Sequence, residues 1–238
     1  MIVNPGALCV HCCSDTEQHA SAVAANVGEV FGNVATDVRF AWMDREGDLF
    51  KSYNFLASQN EGLHKPSDLL VFIHDDARFL KASKAKLEAL WNASDLGGVV
   101  GVAGATRINR DGTWWGEKEE DFIRLGDPCR GRVRHPDRGW LTWPAGGPPQ
   151  FGRVQVVDGL MLAMRRSTFE RVDGFDKSLH GVHFYDICIS LQAALSGGAN
   201  QVIDLPMEHD SLGSYNKDWG AARDRFVKSW LPFLPLSI

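Results

Sequence analysis

The stretch Asp68-Leu69-Leu70-Val71-Phe72-Ile73-His74-Asp75-Asp76 decides how the rest of the 238-residue chain is read. Apolar residues in unbroken succession from 69 to 73 describe a strand with both faces buried, as in a parallel sheet covered by helices on each side. The run then stops at three ionisable side chains in a row. In open α/β sheets, ligands bind where strands end and loops leave the sheet. Two adjacent carboxylates repel one another unless a cation or a proton lies between them. Oxygen ligands suit Mg2+ or Mn2+, and a diphosphate can complete such a coordination shell. The structural alternative is Asp75 or Asp76 as the cap of a following turn.

Working outward, residues 7–12 read as a buried first strand. Ser14 or Asp15 caps a helix over 16–31, whose apolar positions Ala20, Val23, Ala24, Val27 and Val30 recur at helical spacing. A strand over 35–42 and a helix over 49–59 follow, and Lys65-Pro66-Ser67 breaks the chain before the central strand. Downstream come a helix over 83–92 and a glycine-flanked strand over 97–103. This alternation predicts an α/β fold with a doubly wound sheet. From 109 to about 153 the chain is rich in Gly, Pro, Arg and Trp and shows no sustained periodicity, which predicts an irregular functional loop or lid. Regular structure resumes with a strand over 154–165 and helices over 167–172 and 185–196. A strand over 201–205 and a last helix over 218–230 complete a single domain spanning 1–238.

Hydrophobic residues at 44% and charged residues at 23% exclude disorder for the bulk of the chain. The net charge of −5, from 25 basic and 30 acidic side chains, argues against nucleic acid as a partner. Five cysteines form no disulfide framework. Cys9, Cys12 and Cys13 beside His11 suggest a metal site, but no second Cys/His pair follows at zinc spacing, so they read as buried strand thiols. The start of the chain lacks the pattern of a signal peptide, and no apolar run of about 18 residues exists to span a membrane. These features predict a cytoplasmic location.

Residues 69–76, ending in His74-Asp75-Asp76, resemble the Asp-x-Asp region of family 2 glycosyltransferases, many of whose bacterial relatives carry His-Asp-Asp after such a strand. Ser52-Tyr53-Asn54 resembles their Tyr-Asn element, and Val157-Asp158-Gly159 with the residues up to Arg166 is similar to their acceptor-side strand. Gly174-Phe175-Asp176, followed by His183-Phe184-Tyr185-Asp186-Ile187-Cys188, resembles their "GFDE … fYDiDlsl" stretch. Glu208-His209-Asp210, running on to Ser214, is similar to the late histidine that completes their metal site. The likeness is patchy before Tyr53 and absent over about 109–153, but its elements fall in the right order.

The resemblance implies a GT-A fold, a Rossmann-like mixed sheet sandwiched by helices. In it 1–108 forms the nucleotide-sugar half and 154–238 the acceptor and catalytic half. It implies inverting transfer of a sugar from a nucleotide-diphosphate donor to an acceptor hydroxyl, in bacterial polysaccharide or glycoconjugate synthesis. Asp76 and His209 then hold Mn2+ or Mg2+. His74 and Asp75 face ribose or phosphates, and Tyr53, Asn54, Asp158 and Gly159 belong to the binding site. Asp186 is the base by position, at a helix start where the dipole should hold its pKa low; as a structural residue it would simply satisfy helix amides. Many relatives carry Glu where this chain has Tyr185, and a second acid where it has Cys188. The acid that reads the nucleotide base is open among Asp15, Asp37 and Asp44.

Trp114, Trp115, Trp140 and Trp143 suit stacking on sugar faces, or else pin the long loop as a satellite core. Arg130, Arg132, Arg134 and Arg138 could bind phosphate or an acidic acceptor, or be merely solvated. Trp219, Ala222, Phe226 and Trp230 form a stripe for core packing, with a homodimer contact or a peripheral membrane contact left open. Two other functions compete. A sugar- or nucleotide-binding protein without turnover is kept alive by Tyr185 and Cys188. A nucleotidyltransferase is disfavoured because Cys12-Cys13-Ser14-Asp15 offers no Gly-rich phosphate loop.

Overall fold

The computed structural model describes residues 7–32, 35–42, 47–59, 65–114, 127–211, 213 and 216–238. The first half runs β1 (Leu8–Ser14), α1 (Glu17–Phe31), β2 (Ala35–Trp42), α2 (Leu49–Ser58), β3 (Leu69–His74), β4 (Ala77–Phe79) and α3 (Lys84–Ser94). Then come β5 (Gly97–Gly101), β6 (Ala103–Ala105), β7 (Arg107–Ile108), β8 (Cys129–His135) and β9 (Gly139–Trp143). The rest comprises β10 (Gly152–Arg153), β11 (Val156–Val157), β12 (Met161–Arg165), α4 (Arg166–Arg171), α5 (Tyr185–Leu195), β13 (Ala199–Val202), β14 (Met207–His209), α6 (Lys217–Trp230) and β15 (Leu236–Ser237). No described helix is long and apolar enough to cross a membrane.

β3 is an interior strand, the fifth of a seven-stranded mixed sheet ordered β10-β13-β5-β12-β3-β1-β2. β1 lies parallel to it on one side and β12 antiparallel on the other. Its side chains alternate between two cores, as the pleat requires. Leu70 and Phe72 pack into a core shared with α2, α5 and α6, while Leu69, Val71 and Ile73 pack with α1 and α3. Burial on both faces is therefore what the continuous apolar run encodes. The register pairs Cys13 with His74, so β1 and β3 end at the same edge of the sheet.

A second sheet, β11-β6-β8-β14-β4 with β9 on β8, curls over that edge. Its existence corrects the expectation of an irregular 109–153 segment. Residues 129–143 form a β-hairpin in which Cys129, Gly131, Val133 and His135 are buried while Arg130, Arg132 and Arg134 are not. Arg130, Arg132 and Arg134 thus form one face of a strand of period two, and Arg138 lies in the turn that follows. The single strand expected over 154–165 is also two strands. Asp158 accepts the Leu160 N–H at 3.0 Å, a local turn that sends β11 to the second sheet and β12 to the first. Thr16 caps α1, accepting from His19 N, so neither Ser14 nor Asp15 is the cap. Ser14 instead sits 2.8 Å from the Asp75 carboxylate. All five cysteines are buried, and burial raises the Cys12 thiol and pushes the Cys13 thiol up to about 12, so these two pack as neutral thiols.

Asn54, on α2, joins segments 121 residues apart. Its amide donates to Phe175 O at 2.8 Å and accepts from Phe175 N at 2.9 Å. Gly174 beside it has φ of +73°, and a Cβ there would strike the Asn54 side-chain oxygen. Asn54→Ala leaves both Phe175 backbone groups unpaired, which costs about 1–3 kcal/mol. The expected outcome is a lower denaturant midpoint at unchanged slope; an unmoved midpoint would show that the clamp is dispensable.

Candidate functional site

The site begins where β3 runs out. Asp75 and Asp76 form the turn into β4, and β14 pairs antiparallel with β4 so that His209 lies opposite Ala77. The Asp210 N–H donates to Asp76 O at 3.1 Å, locking the two segments together. Three ligand atoms consequently converge: His209 Nε2 is 3.2 Å from Asp76 Oδ1, His74 Nδ1 is 3.4 Å from His209 Nε2, and His74 Nδ1 is 3.9 Å from Asp76 Oδ1. The adjacent carboxylates diverge, which relieves their repulsion. Asp76 turns to the histidines, whereas Asp75 turns to Ser14 and lies 3.5 Å from His19 Nδ1.

Electrostatics follow this geometry. Burial alone raises the Asp76 pKa, but the hydrogen bond and charge of His209, with help from His74 and Ser211, outweigh it and bring Asp76 down to about 2. His209 moves up, because Asp76 outweighs burial, and His74 moves down through burial and the charge of His209.

The turn after β11 supplies the other half of the site. Gly159 donates its N–H to Asp186 Oδ2 at 3.0 Å, and its carbonyl accepts from the Tyr185 hydroxyl at 2.8 Å. The same hydroxyl is 2.6 Å from His74 Nε2. A Cβ at position 159 would collide with Tyr185, so only glycine fits between that ring and Asp186. Asp186 corrects the expectation of a low pKa. It does accept N–H groups at the start of α5, but burial and the nearby charge of Asp158 prevail and raise it to about 7. Helix α5 enters from Phe184 at φ of 67°, a left-handed conformation held by stacking on Trp219 and Phe226 of α6. The expected core role of the α6 stripe is met by Ala222, Phe226 and Trp230, all buried.

One cavity of about 560 Å3 brings together His74, Asp75, Asp76, Asp158, Gly159, Asp186 and His209. Tyr53 underlies it, its residue fully buried and its hydroxyl donating to Ile73 O. Asn54 does not line it, being engaged with Phe175. Trp143 and Trp219 form part of the wall, and Trp114 contributes although nearly buried. Trp140 faces away, 44% exposed, under the Arg132 guanidinium. None of the four arginines lines the cavity; Arg132 pairs with Asp204 and Arg134 with buried Glu208. Asp44, Trp115, Ser214 and the side chain of Asp37 lie outside the described residues.

Residues given no site role by the sequence complete the walls: His135 and Leu141 from the hairpin, and His183 before α5, whose pKa burial lowers. Alternation in 129–135 was the available signal for His135. Cys188 is buried and does not line the cavity.

A family model described as "Glycosyltransferase like family" matches residues 48–227. A search of curated proteins finds no match. Among solved structures, the chain is similar to GalNAc-T7, crystallised with UDP, GalNAc and Mn2+, at a TM-score of 0.58 and 12% identity over 87% of this chain and 44% of that one. It is also similar to the catalytic domain of Drosophila beta1,4galactosyltransferase 7 in complex with xylobiose. There the TM-score is 0.51 at 10% identity, covering 94% of this chain and 79% of that one. These likenesses establish the GT-A fold. The chain spans less than half of the GalNAc-T7 chain it matches.

Because folding lifts the Asp186 pKa from an ordinary carboxylate value to about 7, its contribution to stability is lost as pH rises from about 4 to about 7. Asp186→Asn should therefore melt above the wild type at pH 8, with the gap closing towards pH 4. A gap independent of pH would contradict the raised pKa.

Proposed function

This chain belongs to the glycosyltransferase-like family, and on that premise we propose that it is a metal-dependent, inverting glycosyltransferase that takes a nucleotide-diphosphate sugar as donor. The observation that carries the reading is the charge balance of the cavity. Asp75, Asp76, Asp158 and Asp186 line it, and no described lining residue is a lysine or arginine. A diphosphate cannot enter such a field without a cation to reverse its sign. His74 Nδ1, Asp76 Oδ1 and His209 Nε2, mutually 3.2–3.9 Å apart, would hold that cation. Two imidazoles with one carboxylate fit Mn2+ better than Mg2+, which favours an oxygen shell. When bound, the ion supplies positive charge to the departing diphosphate.

The protein's own groups do the rest. In an inverting transfer the acceptor oxygen bonds to the anomeric carbon as the bond to the diphosphate breaks, and the acceptor's proton must leave. Asp186 is the group placed to take it. Its pKa of about 7 matches a base working near neutrality, and the Gly159 N–H, with backbone N–H groups at the start of α5, fixes the orientation of its carboxylate. Trp143, Trp219 and Leu141 offer an apolar wall on which the acceptor sugar could lie, the use expected of aromatic faces.

Nucleoside diphosphates titrated calorimetrically with Mn2+, Mg2+ or chelator test the donor site. Binding should need the divalent ion, and Asp76→Ala should weaken it at least about tenfold; equal binding in chelator would sink the assignment. For the base, Asp186→Asn should keep donor affinity while transfer falls by about 100- to 10,000-fold. The wild-type rate should climb with pH and level off above about 7, because only the ionised carboxylate accepts a proton. Asp158→Asn removes a like charge and should move that midpoint to lower pH. A flat profile would place the base elsewhere.

A further inference from the structure

We propose that Tyr185 is a positioning residue that selects the tautomer of His74 and so presents the Nδ1 lone pair to the ion site. The inference rests on reading His74, Asp76 and His209 as that site. The Tyr185 hydroxyl has one proton, and two polar atoms flank it: Gly159 O at 2.8 Å and His74 Nε2 at 2.6 Å. A carbonyl oxygen only accepts, so the hydroxyl proton goes to Gly159. The hydroxyl oxygen must then accept from His74, which places the imidazole proton on Nε2. In neutral imidazole the other nitrogen is left bare, and here that is Nδ1, the atom facing His209 and Asp76. Metal-bound histidines are commonly oriented in this way through their second nitrogen.

Several contacts keep the hydroxyl in place. The ring packs among Phe50, Tyr53 and Phe175 at centroid distances of 5.7–6.3 Å, and the residue is 2% exposed. Burial also pushes its pKa well above the usual range, so the phenol stays protonated. Gly159 leaves no slack, since any Cβ would meet the hydroxyl. The residue whose carbonyl accepts from Tyr185 also donates its N–H to Asp186, so one glycine bears on the positions of both the ion site and the base. Where many relatives were read to carry Glu, this chain thus has a group that serves as acceptor and donor at once.

The test is Tyr185→Phe, which keeps the ring and removes the hydroxyl. Calorimetric titration with Mn2+ alone should give an affinity about 10- to 100-fold weaker than wild type, with the metal-free melting temperature within a few degrees. Undiminished Mn2+ affinity in the variant, with tight binding by the wild type, would overturn the role of Tyr185. A wild type that binds no Mn2+ would overturn the ion site itself. An independent measurement needs no variant: 15N spectra of the metal-free wild type should show His74 protonated at Nε2, and protonation at Nδ1 would overturn the proposal.

Discussion

Four carboxylates facing one cavity that no described lysine or arginine enters set the constraint from which the arrangement of the site follows. Each is relieved differently. Asp75 turns to the Ser14 hydroxyl, and Asp76 pairs with His209. Asp158 folds back on the Leu160 N–H, and Asp186 takes the Gly159 N–H and remains half protonated near neutral pH. The solutions come from β1, β14, the turn between β11 and β12, and α5, so both sheets and a helix have to be in place before the site is tolerable. A surface that gathers carboxylates with no described lysine or arginine among them is suited to a ligand that arrives with its own cation.

Behind the charged wall lies an aromatic one. Tyr53, Phe72, Phe169, Phe175 and Tyr185 pack between β3, α2 and α5, mostly edge-on or tilted, at centroid distances of 5.0–5.9 Å. Asn54 holds Phe175 by its backbone, and Phe184 reaches across to α6 in a left-handed conformation. Tyr53 and Asn54 thus bear on the site from beneath: one hydroxyl braces the carbonyl of Ile73, immediately before His74, and one amide fixes the approach to α5. Conformational strain at Phe184 is supported by the packing of α6, which ties residues 217–230 to the entry of α5 as well as to the cavity wall through Trp219.

Much of this was readable along the chain. The unbroken apolar run of β3 could only be a strand covered on both faces, and its three polar residues could only fall at the sheet's carboxyl edge. Helix α5 was legible for similar local reasons, and the late histidine through the resemblance alone. The hairpin was not, because its strand alternates arginine with small and apolar residues, and the glycine, proline and tryptophan around it resemble loop composition. The break at Asp158 was hidden because apolar residues continue on both sides of it. The Asp186 pKa was misjudged because the helix dipole is a local effect, whereas burial and the charge of Asp158 arise from packing of a turn 28 residues away.

By itself, the sequence determined the alternation of strands and helices, the place of His74, Asp75 and Asp76 at a strand end, and the candidacy of Asp186 and His209. The first two depend on periodicity and on neighbours within a few residues, whereas the candidacy of Asp186 and His209 came from the resemblance to family 2 glycosyltransferases. Tertiary structure alone decided that His209 meets Asp76, through the pairing of β14 with β4. It also decided that Tyr185 spans His74 and Gly159, and that no described arginine reaches the cavity. Register, facing and proton position are relations between segments distant in the chain, and they are set by which surfaces pack together once the sheet has closed.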